Sequence, residues 1–212
     1  MKKILYTAII GKYDTLEEVD PLGDWRYICF TDQDIKSESW EIVKVDPGER
    51  PHPEKLCRRI KIVGPEYFLP FHDISVWVDA NITPSRDLDE FIKEKDYCLM
   101  QHPGRKDIYA EAIACIERNK DTPAVITEQI DKYVKEYGYM ISGLVATGVL
   151  VRRLSKENSL INNLWWNEVE RHSRRDQLSF NYVAHKTGFK YQTFPFLEGF
   201  SYKPHTQIYV PN

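Results

Sequence analysis

An α/β fold with a central, mainly parallel mixed sheet and helices on both of its faces is what this sequence predicts, and three observations lead there. Short runs rich in β-branched and aromatic residues recur along the chain, and segments with apolar residues at helical spacing lie between them. Strands that alternate with helices favour a parallel sheet whose crossovers cover it. The 212 residues, 42% hydrophobic and 13% aromatic, suffice for one substantial core, so a single domain over residues 1–212 is expected.

In chain order, residues 3–10 and 25–31 (WRYICFT) are rich in Ile, Tyr, Thr and aromatics and end in polar or Gly residues, which predicts buried strands; WEIVKV at 40–45 is a third. In HPEKLCRRIKIVG, Leu56, Ile60 and Val63 keep helical spacing while Lys55, Arg58 and Arg59 fill the remaining surface, so the segment reads as an amphipathic helix. It leads into a strand at 74–79. A helix at 86–95, a strand at 96–100, helices near 106–117 and 123–136 and a strand within GLVATGVLVRR follow. In LSKENSLINNLWWNEVE, Leu160, Ile161, Leu164 and Trp165 form one stripe. In SRRDQLSFNYVAHKTG, Ser173 and Asp176 give an S-x-x-D helix start and Gly188 a stop. YQTFPF is a last strand before an irregular tail.

A formal charge of −3 with both signs dispersed leaves no basic stripe for nucleic-acid phosphates. Cys29, Cys57, Cys98 and Cys115 lack any C-x-x-C pairing and suit buried thiols in a reducing compartment, with neither a disulfide framework nor a zinc site. The start, MKKILYTAIIGKYD, imitates a secretion signal but breaks at Gly11-Lys12 without a small-residue cleavage site, so it reads as a first strand. No run approaches the roughly 18 apolar residues of a membrane span. A cytoplasmic location is expected, with any membrane association peripheral.

The segment SVWVDANI, residues 75–82, is where chemistry is expected. Ligands of open α/β sheets collect where strands end, and Asp79 and Asn81 stand at such an end. Two oxygen ligands at i and i+2 can face one hard cation, and Mg²⁺ or Mn²⁺ typically takes one or two protein carboxylates plus substrate phosphates. The alternative is a plain turn, for which Asp and Asn are common.

In its setting WVDANI resembles the D-x-D element of the GT-A glycosyltransferases. ILYTAIIGKYD is similar to their nucleotide-binding first strand, RYICFTD to their second, KLCRRIKI to the basic helix before D-x-D, and DQLSF to the Asp-Gln helix start of the glycogenin-like retaining branch. More closely, YTAIIGKYD, CFTD, SVWVDANI, QHPGR, GVLVRR and SRRDQLSF together resemble a glycosyltransferase-like family with plant cell-wall and bacterial members, formerly a domain of unknown function.

The resemblance implies a GT-A-like nucleotide-diphospho-sugar transferase fold, with Thr7 in the nucleotide-binding strand and Asp79 and Asn81 holding donor or divalent metal, Mn²⁺ or Mg²⁺. Asn81 departs from the second acid of D-x-D, which lowers the charge offered to a cation. Lys55, Arg58 and Arg59 would bind the departing diphosphate, for which a guanidinium fork is well suited; the alternative is a solvated helix face. Asp176 would accept hydrogen bonds from the donor sugar with Gln177 near the reacting carbon, against the alternative of a helix cap. His102 and Arg105 lie in a loop after a strand that could meet sugar or acceptor, with His102 a candidate acid or base or a turn residue. Lys203 would contact phosphate and His205 the metal, unless both belong to an exposed tail. His52, His72, His172 and His185 suggest no site.

The function implied is transfer of a hexosyl or pentosyl group from a nucleotide-sugar donor to a hydroxyl of a glycan or related acceptor, with retention if the likeness to the retaining branch holds. The alternatives are a non-catalytic glycan- or nucleotide-binding module on the same fold, and a metal-dependent phosphoesterase or nucleotidyltransferase.

Overall fold

The computed structural model describes residues 1–11, 14–48, 53–67, 72–139 and 143–204. Its elements, in chain order, are β1 (Lys3–Ile9), β2 (Arg26–Thr31), β3 (Glu41–Lys44), α1 (Pro53–Tyr67), β4 (Ile74–Val78), β5 (Ile82–Pro84), α2 (Leu88–Ile92), β6 (Tyr97–Gln101), α3 (Ile108–Glu117), α4 (Pro123–Tyr137), β7 (Val145–Arg153), α5 (Lys156–Arg171), α6 (Asp176–Thr187), β8 (Gln192–Phe194) and β9 (Phe200–Tyr202).

Seven strands form one sheet in the order β3-β2-β1-β4-β7-β6-β8, and β5 pairs with β9 in a small second sheet. From β3 to β4 all neighbours are parallel; β7 runs antiparallel to both β4 and β6, and β8 returns parallel to β6. The expected mainly parallel mixed sheet is therefore present. In β1 the alternation sends Ile4, Tyr6 and Ala8 into one core and Leu5 and Ile9 into another, so both faces are buried, as a continuous apolar run requires.

The two faces are covered unequally. Apolar side chains of α1, α5 and α6 fill the first core, including Ile60, Trp165 and Phe180. The second is closed by the five-residue α2, by Trp25 and Trp40 from irregular segments and by Phe200.

Four local expectations change in the structure. The helix expected at 86–95 spans Leu88–Ile92, because Asp87 caps its start through Asp89 N and a three-residue turn, with Lys93 N donating to Glu90 O at 3.4 Å, ends it. Leu160 is 58% exposed, and the buried face of α5 runs instead through Asn158, Ile161, Asn162, Trp165, Trp166 and Val169. Two asparagines turn inward because each finds a partner there: Asn158 Nδ2 donates to Arg153 O at 2.9 Å, and Asn162 Oδ1 accepts from the Tyr97 hydroxyl at 2.9 Å. The S-x-x-D start is displaced: α6 begins at Asp176 with Arg175 at its cap, while the Ser173 hydroxyl donates to Asp121 Oδ2 at 2.8 Å. Part of the irregular tail is β9, whose pairing with β5 is distant in sequence and leaves no local signal.

Candidate functional site

Strand β4 ends at Val78, and its continuation is a turn that also borders a cavity. Asp79 N donates to Gly148 O at 2.9 Å and Asp79 O accepts from Ile82 N at 2.8 Å, which closes the backbone tightly. The Asp79 carboxylate stays 39% exposed, with Oδ1 accepting from Trp77 Nε1 at 2.9 Å from the same face of the strand. Gly148 packs closely opposite: a Cβ there would lie 3.3 Å from Asp79 Oδ2 and 3.0 Å from Ile82 Cδ1, so both side chains would have to give way. Between Leu99 and Met100 the β6–β7 register jumps from Leu150 to Ala146, and the surplus residues of β7 carry Thr147 and Gly148 against the site.

Helix α1 brings the charge. Glu54, Cys57, Arg58 and Lys61 recur at i, i+3, i+4 and i+7 and share one face. Lys61, 1% exposed, sits 2.7 Å from Asp176 Oδ2, 3.0 Å from Thr147 Oγ1 and 3.7 Å from Asp79 Oδ1. Arg58 Nε lies 3.4 Å from Asp176 Oδ1, and Thr147 donates to Asp176 Oδ2 at 3.0 Å. Burial by itself would raise the Asp176 pKa; the charges of Lys61 and Arg58 and the Lys61 hydrogen bond outweigh it and hold the carboxyl well below the usual range. Its place in the first turn of α6 adds a favourable helix dipole.

In front of this ion cluster lies a cavity of about 560 Å³ at the C-terminal ends of β1 and β4, lined by Ala8, Ile9 and Ile10, by Trp77, Asp79 and Ala80, and by Glu54, Cys57 and Arg58. Its remaining wall is basic: Arg118, Asn119 and Lys120 from the end of α3, and Arg174 and Arg175 from the loop before α6, with Asp14 the other acid. Asn119, at φ +49°, takes the left-handed turn that Asn tolerates. Asp121 Oδ2 joins the two halves of this wall by accepting from the Ser173 hydroxyl and from Arg174 N, each at 2.8 Å. The cavity thus presents five basic side chains against three acidic ones, a surplus suited to an anionic ligand of about two charges. The Cys57 thiol, at its edge, is pushed by burial up to about 11 and is no nucleophile at neutral pH.

Of the residues expected from sequence, Asp79 and Arg58 meet in this lining. Asp176 stands directly behind it, 2% exposed, with its oxygens committed to Lys61, Thr147 and Arg58, so its contacts are with protein cations rather than with the cavity. Gln177 Nε2 donates to Val145 O at 3.2 Å, outside the lining. Lys55 Nζ donates to Glu170 O at 2.9 Å and His172 O at 3.4 Å, serving the C-terminal carbonyls of α5 instead of the cavity. Arg59 lies off the charged face of α1, and Thr7 is fully buried inside β1.

His102 Nδ1 accepts from Gly104 N at 3.1 Å and Arg105 N at 2.8 Å, and Arg105 pairs with Glu111. Burial, then the Arg105 charge, lower the His102 pKa, so the ring is a neutral turn acceptor away from the lining. Asn81 is 6% exposed and its carbonyl accepts from Lys203 N at 2.9 Å, while Lys203 Nζ pairs with Glu17. His205 lies outside the described residues. Sequence reasoning passed over Lys61, Thr147 and the basic wall. The signal for Lys61 was available, since the core positions Leu56, Ile60 and Val63 place it on the face of Arg58.

For a divalent ion, Asp79 offers Oδ2, Oδ1 being engaged by Trp77. Among the described residues no three His, Cys, Asp or Glu side chains converge as a metal cluster, so phosphate oxygens and water would complete its shell, as Mg²⁺ commonly allows. No helix among them is long and apolar enough to cross a membrane.

A mixed, mainly parallel sheet with this charged cavity where β1 and β4 end is consistent with the GT-A-like class. Residues 6–202 match the family described as "TOD1/MUCI70, glycosyltransferase-like domain", and the chain belongs to that family. It is also similar to a protein of Arabidopsis thaliana described as "Probable hexosyltransferase MUCI70", with 31% identity over 130 residues; the match covers 55% of this chain and 22% of that protein.

Proposed function

We propose that this chain is a glycosyltransferase that moves a hexosyl group from a nucleoside-diphosphate-sugar to a hydroxyl of a glycan or related acceptor. The observation that carries the reading is the cavity at Asp79, with its surplus of basic side chains converging from α1, α3 and the loop before α6. The family and the hexosyltransferase relative support the reaction class.

In this reading Arg58, Lys120, Arg174 and Arg175 receive the diphosphate, and Ala8 to Ile10 form the nucleoside floor. Negative charge grows on the leaving diphosphate as the glycosidic bond stretches, and fixed cations in a partly enclosed site stabilise it without reorganising. Asp79 faces the donor's hydroxyls, or holds through Oδ2 a divalent ion that would neutralise the diphosphate. Asp176, kept ionised, anchors Arg58 and Lys61 and so fixes the positive side of the site.

The test combines calorimetric titration with UDP- and GDP-sugars, a CMP-sugar serving as the monophosphate control, each with Mn²⁺ and with EDTA, with a measurement of sugar transfer from the bound donor to water or an added glycan. Both are made on the wild type and on Asp79→Asn, which keeps an acceptor for Trp77. Binding of one donor in the wild type, and transfer slowed at least about 100-fold in the variant with its thermal midpoint unchanged, is the expected result. No binding to any donor, or full transfer by Asp79→Asn, refutes the reading.

A further inference from the structure

Pro65 lies inside α1 and has no N–H, so the carbonyl four residues earlier, Lys61 O, lacks the helical donor it would otherwise receive. That oxygen accepts instead from the Tyr6 hydroxyl at 2.7 Å and from Arg152 Nη2 at 2.7 Å. Arg152 Nη1 reaches the next carbonyl, Ile62 O, at 2.7 Å and Asn162 Oδ1 at 3.3 Å, and Nη2 also meets the Tyr6 hydroxyl. A guanidinium only 2% exposed and held by neutral oxygens is costly to bury. Its position shows what it secures. Arg152 projects from β7 where that strand pairs with Ser75 of β4 and Tyr97 of β6, so it ties α1 to the middle of the sheet at Lys61 itself.

We propose that Arg152 and Tyr6 are positioning residues: they clamp the Lys61 carbonyl that Pro65 leaves without a helical donor, and thereby fix the Lys61 ammonium between the carboxylates of Asp79 and Asp176. A lysine side chain has four rotatable bonds, so its head group is placed accurately only if its backbone is immobile and its stem enclosed. The clamp meets the first condition and burial the second. The clamp rests on geometry alone; its consequence for ligand binding rests on the donor-site reading given above.

The experiment compares the wild type, Tyr6→Phe, Arg152→Met and the double variant Arg152→Met/Pro65→Ala, in which residue 65 regains an amide to donate to Lys61 O. Two readouts are taken on the folded proteins: the NMR titration of the Asp176 carboxyl, and calorimetric binding of UDP, GDP and CDP. Arg152→Met is expected to make the Asp176 carboxyl hold its proton at least about tenfold more tightly, and to weaken the best-bound diphosphate by at least about tenfold. Pro65→Ala should recover part of both losses, which mere repair of packing would not do. An Asp176 titration unchanged in folded Arg152→Met and Tyr6→Phe overturns the clamp. Should Arg152→Met fail to fold, Tyr6→Phe, which loses one oxygen, carries the same two readouts. A shifted titration in a protein whose wild type binds none of the three diphosphates upholds the clamp and refutes the donor site.

Discussion

Replacing Lys61 by Met keeps an unbranched chain one atom shorter and removes its charge, which leaves Asp176 buried at 2% exposure without the ammonium 2.7 Å away. Breaking a buried pair by removing one partner costs about 3–5 kcal/mol, because the remaining charge is uncompensated. Arg58 at 3.4 Å and the Thr147 hydroxyl at 3.0 Å stay, so the lower end, about 3 kcal/mol, is expected at pH 7. For a domain of this size that lowers the thermal midpoint by about 6–12 °C. In the wild type the folded carboxyl has a depressed pKa, so its contribution is present above the unfolded carboxylate pKa of about 4 and is lost as pH falls toward the folded value. In Lys61→Met burial is opposed by the charges of Arg58 and Arg175 and by the Thr147 hydroxyl, the folded pKa rises, and protonation relieves the penalty. The gap between variant and wild type should therefore narrow from pH 7 to pH 4. Urea titration at both pH values measures it as a shift in midpoint at constant slope. A variant within about 0.5 kcal/mol of wild type at pH 7, which is the range of ordinary surface changes, refutes the reasoning. So does a deficit that is the same at both pH values.

Three further outcomes follow from the same geometry. Gly148→Ala places a methyl 3.3 Å from Asp79 Oδ2, and the carboxylate should shift, with donor affinity reduced about tenfold by calorimetry and stability changed by roughly 1 kcal/mol, since the other close atoms are the ends of Ile82 and Met100. His102 and His172 both have pKa values lowered, chiefly by burial, so each contributes stability above the unfolded value of about 6.5 that fades as pH falls below it. His102→Asn, which keeps an acceptor for the amides of Gly104 and Arg105, should flatten part of that decline in thermal melts between pH 7 and pH 5. Asp121→Ala releases Ser173 and Arg174 N, and diphosphate binding should weaken with a loss of about 1–3 kcal/mol in stability by urea titration; unchanged binding would show that the loop needs no such anchor.

What the sequence determined by itself is the order and type of most elements and the strand end, at Asp79, where the charged cavity lies. Leu5, Ile9, Val76 and Val78 belong to runs whose continuous apolarity demands burial on both faces, and Asp79 falls where such a run stops. That is local information, carried by periodicity and composition over a few residues. Even the charged face of α1 follows from its apolar spacing, although applying that spacing to Lys61 requires knowing which side of the helix meets the strand ends. What only the tertiary structure decided is which charges pair. Asp176 and Lys61 lie 115 residues apart, Thr147 reaches them through an irregularity in β7, and the basic wall joins the end of α3 to the loop before α6 through Asp121. Arg59, one residue on, is turned roughly 100° away from Arg58, whereas Lys55, on the opposite flank of Arg58 from Lys61, is drawn to the carbonyls of Glu170 and His172. The pairings depend on packing angles and strand register, which are settled by the sum of many weak contacts across the whole core, and no short stretch of the chain encodes them.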